Sequence, residues 1–133
     1  MKKITSIIFI AILAFTITGC GNKNAEVTCT KDKEKITISF KGNKIAKYVG
    51  ESTTNYATEA FANSAYQTYQ MTVSAYNSMK GITAETQKNG KEIYLKLTFN
   101  IEDMDQETLK DSDLIKKRDV LIEELEKSGY TCK

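Results

Sequence analysis

The sequence predicts an α+β fold, an antiparallel β-sheet with two packed helices in the element order β-β-β-α-β-β-α. Three observations predict it. Segments in which every second residue is apolar occur in two groups, which is typical of half-buried strands. Short glycine-containing turns separate strands within each group, as in β-hairpins. Segments of helical periodicity follow each group, and strands joined by such short turns pair antiparallel.

The first group contains three strands. They are predicted over Glu26 to Thr30, Lys35 to Lys41 and Lys44 to about Ser52. A Lys-Gly-Asn-Lys turn joins the second strand to the third, and its glycine readily takes a positive φ. The three strands therefore form an antiparallel meander.

The middle helix is predicted from Glu59 to Lys80 and carries no charge between Ala60 and Met79. One stripe along it contains Phe61, Ala65, Thr68, Thr72, Ala75 and Met79, and the neighbouring stripe contains Tyr66, Tyr69, Val73 and Tyr76. The favoured interpretation places Phe61, Ala65 and Met79 in the core and the tyrosines at its margin, with their hydroxyls in water. The alternative is that Tyr66, Tyr69 and Tyr76 line a ligand pocket, because aromatic faces stack on sugars and phenols donate oriented hydrogen bonds.

The second group begins after the middle helix. Strands are predicted over Ile82 to Gln87 and over Ile93 to Ile101, joined by an Asn-Gly turn. An acid-rich connection runs from Glu102 to Asp113. The last helix is predicted from about Asp113 to Ser128, with Ser112 as its N-cap.

The N-terminus has the pattern of an exported protein. Lys2 and Lys3 precede an uncharged, mostly apolar run from Ile4 to Thr18, which is shorter than the roughly 20 residues of a transmembrane helix. The run ends in Ile17-Thr18-Gly19-Cys20, which resembles the lipobox of bacterial lipoproteins. In that class the cysteine thiol receives a diacylglycerol, and cleavage makes the cysteine the new N-terminus. The alternative is an ordinary secretory signal with a chance cysteine.

These features predict a signal peptide over residues 1–19, a lipidated tether over residues 20–25 and one α+β domain over residues 26–133. The lipid on Cys20 would hold the domain at the cell membrane, on the extracytoplasmic face. The chain after cleavage has 114 residues, 17 of them basic and 17 acidic, so it is formally neutral. This balance argues against a nucleic-acid partner.

The cysteine count predicts one disulfide. Of the three cysteines, Cys20 is assigned to the lipid, which leaves Cys29 and Cys132 to pair in a compartment where disulfides persist. The alternative is that both remain unpaired and behave as small hydrophobic residues. A zinc site is disfavoured because two thiols without histidine do not make a tetrahedral ligand set.

The composition argues against most enzymatic chemistry. The chain has no histidine, which removes Ser-His-Asp and Cys-His catalysis and histidine-ligated metals. It has no P-loop and no dinucleotide-binding fingerprint, so no cofactor is predicted. The acids between Glu102 and Asp113 lack the glycine and closing glutamate of an EF-hand, which leaves a solvated turn or an irregular calcium site.

The pattern as a whole resembles the YehR-like small bacterial lipoproteins, a family of uncharacterised function. The resemblance rests on the Gly19-Cys20-Gly21 junction, the Phe40-Lys41-Gly42-Asn43-Lys44 hairpin, the long middle helix, the strand ending at Phe99-Asn100-Ile101-Glu102-Asp103-Met104, and a final helix followed by Gly129. It implies an α+β fold with an antiparallel sheet and two packed helices, and it brings no activity.

The sequence therefore predicts a membrane-anchored protein that is not an enzyme. Its predicted role is to bind a small ligand or an envelope component at the helix bearing Tyr66, Tyr69 and Tyr76. The alternative role is that of a protein-interaction or structural accessory of an envelope complex. A third possibility, a hydrolase that uses two carboxylates, would require a facing pair in a cleft.

Overall fold

A computed structural model describes residues 24–133. Its strands are β1 (Asn24–Lys31), β2 (Glu34–Lys41), β3 (Lys44–Asn55), β4 (Ile82–Asn89), β5 (Glu92–Asn100) and β6 (Thr131–Cys132), and its helices are α1 (Glu59–Asn77), α2 (Gln106–Lys110) and α3 (Arg118–Lys127). The predicted signal peptide and Cys20 lie outside the described residues. Over the part of the chain that is described, no helix has the length and apolarity needed to cross a bilayer.

The six strands form one antiparallel sheet in the order β4-β5-β3-β2-β1-β6, which confirms the predicted fold class. β1 begins at Asn24, inside the predicted tether, and β3 continues to Asn55, beyond its predicted end. β6 returns beside β1, with Cys29 opposite Cys132.

The helices pack on one face of the sheet, which we call the covered face. α1 lies along β4 and β5, while Leu121 of α3 packs among the buried residues of β1, β2 and β3. The buried residues of the larger cluster are Val27, Cys29, Ile36, Ile38, Phe40, Ile45 and Leu121. A smaller cluster of Ile82, Met104 and Leu109 lies under the end of α1. The opposite face is polar, with threonines such as Thr37 and Thr98.

Gly81 makes the tight passage from α1 into β4. Its φ is +80°, and a Cβ there would lie 2.8 Å from the backbone nitrogen of Met104 and 2.9 Å from the carbonyl oxygen of Asn100. Only glycine fits this close approach without moving backbone atoms. This tight turn places the C-terminal end of α1 in contact with the smaller cluster, through Tyr76.

The favoured prediction for the inner face of α1 is wrong. Phe61 is 64% exposed and Met79 is 39% exposed, whereas Tyr66, Tyr69 and Tyr76 are half-buried. Ala62 is the fully buried residue of the helix, and it lies on the tyrosine side. The tyrosine stripe faces the sheet because Tyr76 packs edge-on against Phe99 of β5, with ring centroids 6.4 Å apart.

The connection before α3 also differs from the prediction. It contains 3-10 turns at Ile101–Asp103 and Asp113–Ile115, with α2 between them. Ser112 caps the second turn, since its hydroxyl accepts a hydrogen bond from the Leu114 N–H at 3.3 Å. Leu114 packs against the smaller cluster, so the chain turns there and α3 starts at Arg118.

Candidate functional site

A cleft lies between α1 and α3 on the covered face, and we call it the central cleft. Its two lobes, about 270 Å³ and about 380 Å³, both include Tyr48 and Phe99. The first lobe is lined by Glu34, Ile36, Tyr48, Gly50, Glu51, Ser52, Leu95, Leu97, Phe99 and Tyr130. The second is lined by Tyr48, Phe99, Ser112, Asp113, Leu114, Leu121, Glu124, Leu125 and Ser128.

The floor of the central cleft is an apolar part of the sheet that the helices leave partly exposed. Gly50 lies opposite Leu97, and Tyr48 lies opposite Phe99, so these four side-chain positions share one face. Leu95 and Leu97 are only half-buried. α1 covers β4 and β5 from one side and α3 covers β1 and β2 from the other, which leaves the centre of the sheet open between them.

Gly50 deepens the floor because it has no side chain. A Cβ at this position would meet only the Tyr48 ring, at 3.7 Å, which is ordinary van der Waals contact. Its φ lies outside the left-handed region. Space rather than backbone conformation is therefore what glycine supplies here.

One end of the cleft carries an oriented pair of polar groups. The Tyr130 hydroxyl donates a hydrogen bond to Glu34 Oε2. This hydrogen bond, with some burial and the nearby negative charge, raises the pKa of Tyr130 to about 12. Burial, followed by the charges of Asp113 and Glu34, also raises the pKa of Tyr48. Tyrosine hydroxyls thus remain neutral donors at this end.

The other end of the cleft contains acids that are already paired. Lys116 forms ion pairs with Asp113, at 3.0 Å, and with Glu124. Hydrogen bonds to Glu124 and Asp113 raise the pKa of Lys116, so its charge is maintained. None of the described residues that line the cleft is basic. Glu51 of the first lobe pairs with Lys35 at 3.6 Å, so Glu34 is the exposed carboxylate of the described lining that has no ion pair.

Tyr66, Tyr69 and Tyr76 do not line the central cleft among the residues that the structure describes. Tyr76 packs against the ring of Phe99 from the α1 side of the covered face. Tyr69 lies beside Tyr56 and raises its pKa. Their role as a ligand surface stays a prediction. Leu95 and Leu97 of β5 were not predicted as site residues. Their regular alternation with polar residues predicts a strand, but it does not predict that the strand lines a cleft.

The structure joins Cys29 and Cys132 in the disulfide that the cysteine count predicts. Cys29 is fully buried in the larger cluster. Backbone hydrogen bonds of 2.9 Å between Thr28 and Lys133 continue the pairing of β6 with β1. The disulfide therefore closes the sheet edge beneath α3, which forms one wall of the cleft.

Within residues 24–133, no group of three or more cysteine and carboxylate side chains is placed to hold a metal ion. The acids between Glu102 and Asp113 are spread over two 3-10 turns and α2. Two of them form ion pairs with lysines, Glu102 with Lys41 and Asp113 with Lys116.

Comparison with known proteins finds no matching family model. Two curated relatives are similar to part of the chain. The uncharacterized lipoprotein Lmo0207 of Listeria monocytogenes is 33% identical over 67 residues, which cover 47% of this chain and 44% of that protein. The uncharacterized lipoprotein Lin0239 of Listeria innocua is 32% identical over 60 residues, which cover 42% of this chain and 39% of that protein. The chain thus spans less than half the length of these relatives.

Two solved structures share the fold at 15% sequence identity, each with a TM-score of 0.58. The NMR structure of a protein from Streptococcus pneumoniae TIGR4 matches over 86% of this chain and 88% of that one. The NMR structure of the E. coli YehR protein matches over 83% of this chain and 89% of that one. The resemblance to YehR-like proteins is confirmed at the level of the fold. The curated relatives are named as lipoproteins whose role is uncharacterised.

Proposed function

We propose that this lipid-anchored, extracytoplasmic lipoprotein binds a small, largely apolar ligand in the central cleft and catalyses no reaction on it. The observation that carries the proposal is the apolar floor, where Gly50, Leu95 and Leu97 remain open between the helices. Small-molecule sites are typically concave and apolar with a few placed polar groups, which is the arrangement around Glu34 and Tyr130.

The chemistry of the cleft favours a particular kind of ligand. Burial of apolar surface contributes roughly 25 cal/mol per Å², and Tyr48 and Phe99 offer ring surface in both lobes. The exposed carboxylate of Glu34 repels anions and accepts hydrogen bonds. The favoured ligand is therefore an apolar molecule, or an apolar part of an envelope component, with a hydroxyl or amine at one end.

The test uses protein extracted from membranes and compares its native mass with its denatured mass. The denatured mass reports the lipid on Cys20, and the difference between the two masses reports a bound ligand. We expect a discrete extra mass in the wild-type protein. Gly50→Val fills the floor without backbone strain, so it is expected to lose at least nine-tenths of that mass.

Thr98→Val is the matched control, because Thr98 lies on the polar face of the same sheet. It is expected to retain the ligand. If the extracted protein carries no ligand, the wild-type protein is titrated with a small-molecule extract of the envelope. Unchanged amide NMR shifts of Gly50, Leu95 and Leu97 in that titration would reject the proposal.

A second function, as an accessory that contacts another envelope protein, is favoured by the outer surface of α1. Phe61 is 64% exposed and Met71 is 74% exposed on a helix that has no charge between Ala60 and Asn77. Phe61→Asp combined with Met71→Lys would abolish co-purification of such a partner while leaving the cleft ligand in place. Retained co-purification would reject this second function.

A further inference from the structure

A second cavity lies at the end of the sheet where the β2–β3 hairpin turns, and we call it the hairpin cavity. Its volume is about 510 Å³. It is lined by Lys41, Lys44, Ile45, Ala46, Ile101, Glu102, Gln106, Leu109, Leu114 and Ile115. Leu114 is the one residue that it shares with the described lining of the central cleft. Six of its ten lining residues are apolar, so its interior suits a hydrocarbon chain.

The register of the sheet places this cavity beside the membrane anchor. Asn24, where β1 begins, pairs with Lys41 on the rim of the cavity. Asn24 is four residues after Cys20, and a chain spans at most about 3.6 Å per residue, so the lipidated cysteine is tethered within about 14 Å of Asn24. Glu34 of the central cleft is at the opposite end of β2, about 23 Å from Lys41 at 3.3 Å per residue.

The charges at the mouth of the hairpin cavity favour an anionic head group. Lys41 pairs with Glu102, which neutralises the carboxylate on this rim. Lys44 has no ion pair with any other described residue. Ile115, 60% exposed, adds an apolar side chain at the same opening. A lipid phosphate near Lys44 would gain a charge-assisted contact.

We propose that the hairpin cavity takes up one acyl chain of an anionic phospholipid from the membrane that holds the anchor, with its phosphate at Lys44. Moving the chain from the bilayer into an apolar cavity exchanges one apolar environment for another. Head-group pairing therefore selects the occupant. The diacylglycerol on Cys20 has no phosphate, which disfavours the protein's own lipid. This inference rests on the lipid anchor of the proposed function and not on the central cleft.

The test uses the mature lipoprotein reconstituted into phosphatidylglycerol vesicles. A small fraction of the phosphatidylglycerol carries a photoactivatable diazirine on the terminal carbon of one chain. That carbon normally lies at the bilayer centre, so it reaches the domain only when the chain leaves the bilayer. After illumination, we expect mass-spectrometric adducts on residues 44–46 and 101–115.

Ala46→Leu narrows the cavity and is expected to reduce these adducts at least fivefold, while Ala75→Leu, on the exposed side of α1, leaves them unchanged. Lys44→Gln is expected to reduce them at least threefold. Folding of each variant is checked by its Cys29–Cys132 disulfide and circular dichroism.

Adducts confined to residues 20–23, or equal labelling by a phosphatidylcholine probe, would overturn the inference. Cavity adducts formed instead by a diazirine carried on the Cys20 lipid itself would show an intramolecular occupant and would also overturn it. If the membrane-extracted protein carries no lipid on Cys20 and does not float with vesicles, both the anchor and this inference are overturned. A floating, lipidated protein without cavity adducts overturns the inference alone.

Discussion

Glu34 controls the ionisation of Tyr130 through one hydrogen bond. A carboxylate that accepts a hydrogen bond from the phenol hydroxyl stabilises the neutral phenol, which raises the pKa of Tyr130 to about 12. Because the pKa is higher in the folded than in the unfolded state, this pair stabilises the fold below about pH 10. The contribution is lost as the pH rises through about 12.

We expect ultraviolet titration of the phenols to show that Glu34→Gln lowers the pKa of Tyr130 toward the ordinary value of about 10. The reason is that the amide removes the negative charge that opposes ionisation. Tyr130→Phe identifies which phenol produces the signal. A Tyr130 titration that is the same in wild-type and Glu34→Gln proteins would contradict this role for the carboxylate.

Individual residues differ in how far sequence analysis predicts them. Cys29 and Cys132 were paired by counting, because exported proteins rarely keep loose thiols and only two cysteines remained. Gly50 gave no such signal. Its importance depends on which part of the sheet the helices leave open, and hydrophobic periodicity reports that a strand has an apolar face but not what covers it.

At the scale of elements, α1 closes the free edge of β4 through Asn77. The Asn77 side chain donates to the Ala84 carbonyl at 2.9 Å and accepts from the Ala84 N–H at 2.7 Å. It thereby satisfies both backbone groups, as a neighbouring strand would. An open edge strand is a template for unwanted pairing, and the helix end blocks it here.

Asn77→Ala leaves both backbone groups of Ala84 without their partner, and we expect it to lower the free energy of unfolding by about 1–3 kcal/mol. Urea denaturation measures the change. Gln70→Ala is the control, because Gln70 is an exposed residue on the same side of α1. It is expected to change stability by less than about 0.5 kcal/mol. Equal effects of the two substitutions would refute the edge-closing role.

Periodicity predicts elements better than it predicts their orientation. The unbroken alternation in β5 and the uncharged run of α1 placed both elements correctly to within a few residues. The prediction of which face of α1 packs on the sheet was wrong, because the two stripes lie close together around the helix and both contain large apolar side chains. Phe99, whose ring contact with Tyr76 decides between them, belongs to a later strand and gives no signal within the helix itself.

At the scale of the whole molecule, the disulfide joins segments that are 103 residues apart. Closing a loop of that length lowers the entropy of the unfolded chain, with a stabilisation on the order of 4–5 kcal/mol in the chain-entropy account. β6 has only two residues, so the disulfide adds a covalent link to the few backbone hydrogen bonds that hold this short strand to β1.

We expect Cys132→Ser to lower the free energy of unfolding by about 2–5 kcal/mol, measured by urea denaturation. Treatment of the wild-type protein with a reductant is expected to have the same effect. The reductant should have no further effect on the Cys132→Ser protein, which serves as the control. A wild-type protein whose stability is unchanged on reduction would disprove this contribution.

If the chain is exported, as we propose, the positions of the two cysteines also set an order of events. A chain that crosses the membrane from its N-terminus delivers Cys29 first, and Cys132 emerges only after 103 further residues have passed. Oxidation of the correct pair therefore reports that the intervening chain has arrived outside. A polypeptide that stalls or breaks before Cys132 keeps a free thiol in an unfinished sheet edge, which distinguishes it chemically from a complete molecule.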